Sequence, residues 1–187
     1  MSDFEFIFAL FGLLLGLSLA EVLTGFARAV EWKLRPGSTV RIGALTPLLG
    51  AFVLLDLLSF WQAAWNSREI IAVSRHSLLA VMTFAGSYYL AASLVFPRGG
   101  EAEPDFDGHF LRVRRIVIGV MFALLLCQLG WYLTLPAMAV RLADPLAATM
   151  TAILALLMIA AMTVRGLFWC RLAMAALVAR YLLIYLL

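Results

Sequence analysis

Long apolar runs separated by short polar or Gly/Pro-containing breaks make up most of this chain. The first run covers about 4–30 and is apolar except for Ser18, Glu21, Thr24 and Arg28. The segment from Glu31 to Arg41 breaks it with Pro36-Gly37. Five further runs cover about 42–65, 78–96, 115–135, 145–164 and 166–187. Pro47 falls in the first turn of the second run, where a missing N–H costs little. Asp144-Pro145 reads as an N-cap followed by proline at the first helical position. The stretch 97–110, rich in Gly, Pro and acids, predicts a flexible loop, and the segment 66–77 is polar at both ends.

A helix that spans a bilayer needs about 20 predominantly apolar residues. Six such helices leave short loops in a chain of 187 residues and no room for a soluble domain. The predicted fold is therefore all-α: one polytopic transmembrane bundle over 1–187, of about six helices, with both termini on the same side. The start, MSDFEF, carries Asp3 and Glu5 and no basic residue, so the first run reads as a mature span and not as a cleavable signal peptide.

Composition supports lipid as the main solvent. Hydrophobic residues make up 65% of the chain and charged residues 13%, against about 25% charged in a typical soluble domain. The net charge of +3 does not point to nucleic acid, because the basic residues sit in the breaks between apolar runs. On the predicted topology one side holds Arg28, Lys33, Arg35, Arg41, Arg98, Arg112, Arg114, Arg115, Arg165 and Arg171. The other holds Arg68, Arg75 and Arg141, with Arg180 inside the last span. The positive-inside rule then places both termini outside and the 97–110 loop in the cytoplasm. Cys127 and Cys170 have no CxxC spacing and read as packing residues with free thiols.

Little hydrophobic drive joins helices in lipid, so small residues that let backbones approach mark packing faces. Gly12, Gly16 and Ala20 form such a row on the first span, continued by Thr24. The row predicts bundling within the chain or a homo-oligomer seam. Trp32, Trp61, Trp65, Trp131, Tyr132, Trp169, Tyr181 and Tyr185 gather near predicted boundaries, as in an aromatic belt.

Ionisable groups within spans are costly and are functional candidates by default. Glu21, Asp56 and Arg180 are the three that stand out, with Arg28 near Glu21. An Asp56–Arg180 bridge is the structural alternative to an ion path. Glu21 and Arg28 stand two turns apart, too far for an expected direct contact. Ser59, Gln62, Tyr88, Ser93 and Gln128 are candidate liners of a polar interior or hydrogen-bonded glue. Arg112, Arg114 and Arg115 are candidates for anionic lipid headgroups. The acids Glu101, Glu103, Asp105 and Asp107 are expected to be solvated, since their spacing does not match an EF-hand loop.

No catalytic residue, metal site or cofactor is predicted. The two histidines, His76 and His109, fall on opposite sides of the predicted topology, and HExxH, GxSxG and P-loop patterns are absent. The only lysine, Lys33, lies in a loop, which excludes a Schiff base on a spanning helix.

The stretches LGLSLAEVLTGFAR (15–28), YYLAASLVFP (88–97) and HFLRVRRIVIG (109–119) resemble those of a group of small bacterial six-helix membrane proteins without an assigned activity. The resemblance implies a bacterial inner-membrane location and carries over no site residue.

The expected function is passage or sensing of a small ion or solute through a polar interior of the first, second and sixth spans. The alternatives are a non-transporting scaffold or accessory subunit, which binds another membrane protein, and a lipid-binding protein. A hydrated cavity around Glu21 and Asp56 distinguishes the first reading from the second, for which tight pairing is expected. The orientation is checked in a cysteine-free variant that carries one new cysteine. A membrane-impermeant maleimide added to intact cells is expected to label Arg141→Cys, and to label Glu103→Cys only after lysis.

Overall fold

The computed structural model describes residues 3–36, 40, 42–67, 74–98 and 105–186. Among them the chain is all-α, with seven helices: α1 (Asp3–Leu34), α2 (Leu45–Asn66), α3 (Arg75–Ser93), α4 (Phe106–Leu133), α5 (Pro136–Leu142), α6 (Pro145–Thr163) and α7 (Leu167–Leu186). Five of them, α1, α2, α4, α6 and α7, are long and apolar enough to cross a membrane. The third of the six predicted apolar spans, α3, is not among these five. This helix carries Arg75, His76, Ser77, Thr83, Ser87, Tyr88, Tyr89 and Ser93 in 19 residues, too polar a run to qualify by composition.

Helix ends depart from the predicted runs where side chains cap the backbone. The helix α4 starts at Phe106, inside the predicted 97–110 loop, because the Asp105 carboxylate accepts the Gly108 N–H at 3.0 Å. In the same way α3 starts at Arg75, since Ser74 and Ser77 cap each other's backbone N–H groups. The short α5 starts at Pro136, its first helical residue, and is not predicted as an apolar run. Gly166 takes a φ of +93° in the break between α6 and α7, a left-handed conformation that favours glycine.

Contacts along the bundle set the helix directions. Phe8 near the start of α1 meets Trp61 and Trp65 near the end of α2, whereas Phe26 meets Phe96 beyond the end of α3. Thus α1 and α3 run parallel, with α2 antiparallel to both. The start of α4 joins the start of α2 through Thr46 and Phe106, and α7 reaches Ser59 of α2 with Tyr185. One end of the bundle collects Arg28, Arg98, Arg112, Arg115, Arg165 and Arg171; we call it the basic end. The other, the aromatic end, holds Trp61, Trp65 and Trp131.

Spacing of buried residues on α1 shows how the bundle closes. Ile7, Phe11, Leu15, Ser18, Val22 and Ala29 are buried at steps of three, four or seven, one stripe of an α-helix. The small-residue row lies mostly off this stripe. A Cβ on Gly12 would meet the Trp61 ring at 3.1 Å, but nothing stands within 4 Å of one on Gly16, and Ala20 is exposed. The tight approaches are at Gly25 and Gly50 instead. A Cβ on Gly25 would run into the Phe96 side chain, and one on Gly50 would sit 2.9 Å from the Phe26 ring and 3.0 Å from the Phe96 ring. Phe96 therefore seats between α1 and α2 only because both carry glycine there.

Gly25→Ala is expected to destabilise the protein by about 1–3 kcal/mol through overpacking. Phe96→Leu in that background is expected to recover part of the loss, as measured by thermal unfolding in detergent.

Candidate functional site

Asp56 lies midway along α2, about 16 Å from Leu45 at 1.5 Å per residue. It is 6% exposed and flanked on its own helix by the buried Phe52, Val53, Leu57 and Phe60. A buried carboxyl group needs partners, and one arrives from α7: the Tyr181 hydroxyl donates to Asp56 Oδ1. Oδ2 is buried with no hydrogen-bond partner. From α3, the Tyr88 hydroxyl donates to the Val53 carbonyl at 2.6 Å, one turn away on α2. The carboxyl group thus stands in a closed compartment of α2, α3 and α7.

Arg180 does not bridge Asp56 directly. Neighbouring residues on a helix point about 100° apart. With Tyr181 turned to α2, Arg180 turns to α6, where Nη2 donates to the Met150 carbonyl at 3.1 Å. Its guanidinium carbon stands 4.8 Å from the centre of the Tyr181 ring. The expected bridge is replaced by a relay in which Tyr181 stands between cation and carboxyl group. Tyr181 also leaves the predicted aromatic belt, being 2% exposed. Its signal in the sequence was its position next to Arg180 on the last span, at a depth near that of Asp56.

Glu21 belongs to a different group. Its Oε1 lies 3.7 Å from Arg28 Nη2 and 3.8 Å from Arg98 Nη2. The direct Glu21–Arg28 contact that spacing argued against is therefore formed. Seven residues are a rise of about 10.5 Å on one helix face, and two long side chains that lean toward each other cover it. The remaining polar candidates do not converge on Asp56. Gln62 is exposed, and Ser59 binds the Leu55 carbonyl and Tyr185. Ser93 binds the Leu90 carbonyl, and Gln128 donates to the Tyr132 hydroxyl at 2.9 Å.

The basic end carries a second polar layer. Asp107, expected as a solvated acid, accepts the Leu45 N–H at the start of α2 at 3.3 Å and pairs with Arg171 at 3.0 Å. An anion there also favours the exposed N–H groups of the α2 terminus. His109 Nε2 contacts the Leu94 carbonyl at 3.0 Å. Arg114, expected at lipid headgroups, is instead 6% exposed. Its Nη1 donates to the Ala161 carbonyl at 3.2 Å and contacts Cys170 Sγ at 2.8 Å, so it ties α4 to α6 and α7. The step of about 100° per residue turns it inward while Arg112 and Arg115 stay exposed. Asp105 caps α4, and Glu101 and Glu103 lie outside the described residues.

No family model matches the chain, and neither a curated protein nor a solved structure matches it.

Tyr181→Phe leaves Asp56 without its donor and is expected to cost about 1–3 kcal/mol of stability. In an Asp56→Leu background the same change is expected to cost less, by about 0.5 kcal/mol or more. Thermal unfolding of the four proteins in detergent measures both values.

Proposed function

We propose that this multi-pass membrane protein is a non-transporting scaffold or accessory subunit without catalytic activity. The observation that carries the reading is that each intramembrane acid is engaged by a side chain from another part of the bundle. Glu21 is held by Arg28 and Arg98, and Asp56 is held by Tyr181 in an apolar surround. Engagement by neighbouring side chains is the arrangement expected of acids that fix helices in place, whereas an ion path needs polar groups that converge on a hydrated route. The exposed small-residue face of α1, with Gly16 open and Ala20 and Thr24 uncovered, suits a helix from a second copy or from another membrane protein. The location we assign is a bacterial inner membrane, on the resemblance stated above. Both termini are assigned to the periplasmic side, on the excess of Lys and Arg at the basic end.

Sensing of an ion is the second reading, favoured by the buried and unpartnered Oδ2 of Asp56. Proton and potassium flux into proteoliposomes separates passage from the proposal. The expected result is flux no greater than that of empty liposomes, for wild type and for the Glu21→Gln, Asp56→Asn double variant alike. Wild-type flux that the double variant abolishes would return the protein to the transport reading.

A further inference from the structure

A cavity of about 790 Å³ opens at the aromatic end, in the space where α3 and α4 diverge. Their described hydrogen bond, between His109 and the Leu94 carbonyl, lies at the basic end. Toward the aromatic end the two helices separate, with α1 and α2 behind them. The volume falls within the range of about 300–1,000 Å³ typical of sites for single small ligands.

The lining is graded along the bundle axis. Its deep part is apolar, formed by Phe11, Phe60, Phe84 and Leu124. The mouth brings His76 at the start of α3 and Gln128 near the end of α4. His76 is exposed and adjoins Arg75, and among the described residues no acidic side chain lines the cavity. An apolar well with hydrogen-bond donors and His76 at its rim matches a molecule of one apolar chain and one acidic head.

We propose that this cavity binds a single-chain acidic amphiphile of the fatty-acid class. Its chain enters between α3 and α4, and its carboxylate rests at the mouth against His76 and Gln128. The site adjoins the Asp56 compartment, with Phe60 in the wall of both, and does not rest on the scaffold reading.

The chain itself carries a reporter. Cys127 lines the cavity and is exposed, while Cys170 is buried, so a small maleimide reads Cys127 first. The experiment uses the full chain in phosphatidylcholine nanodiscs, free of single-chain detergent, with palmitate as probe. Palmitate at roughly ten times its Kd is expected to slow Cys127 modification about tenfold. Palmityl alcohol is expected to protect less, and His76→Ala is expected to abolish that preference. Thr83→Trp, which fills the cavity from α3, is expected to slow the modification without palmitate and to remove the response to it. Ala80→Trp serves the same purpose should Thr83→Trp fail to fold.

Three results would overturn the proposal: a Cys127 rate that palmitate leaves unchanged, equal protection in the filled variants, or full protection in nanodiscs before palmitate is added. The last would assign the cavity to an acyl chain of the bilayer phospholipid.

Discussion

Polar clamps at the basic end decide which helices of this bundle meet. In lipid, one apolar surface gains little by preferring another over an acyl chain, so packing and hydrogen bonds select neighbours. Phe106 and Asp107 supply much of that selection. The Phe106 carbonyl accepts from Thr46, and Asp107 accepts from the Leu45 N–H and from Arg171. Two adjacent residues thereby fasten the start of α4 to the starts of α2 and α7. Arg114, two turns further along α4, adds α6 through the Ala161 carbonyl.

The rest of the bundle follows from that fastening. With its basic end tied, α2 presents Asp56 to α7, and Tyr181 meets it near mid-depth. Arg180 is thereby directed to α6, so one stretch of α7 satisfies a carboxyl group on one side and a backbone carbonyl on the other. Phe96 closes the remaining gap between α1 and α2, because glycine at positions 25 and 50 leaves room for its ring. At the aromatic end α3 and α4 spread, and the cavity lies in that spread.

Several site residues were legible in the sequence, and the reasons differ from residue to residue. Asp56 and Glu21 stood out because a charge in an apolar run is expensive whatever surrounds it. Their partners did not follow. The choice of Tyr181 over Arg180 depends on the rotation of α7 about its axis, which an almost uniformly apolar helix does not reveal. Asp107 looked like one acid among four in a hydrophilic stretch. Only the packing of α2 beside it turns it into a clamp.

The sequence by itself determined that the chain is an α-helical, multi-pass membrane protein, because apolar runs of spanning length leave lipid as their main solvent. It also determined the segregation of basic residues to one end, since that is a count along the chain. Tertiary structure decided the partners of the buried charges, the inward turn of Arg114 and the position of the cavity. It further decided that the small-residue row of α1 mostly faces away from the core. Each of these depends on helix rotation and relative depth, and between apolar helices those are set by a few long-range polar and glycine contacts rather than by local periodicity.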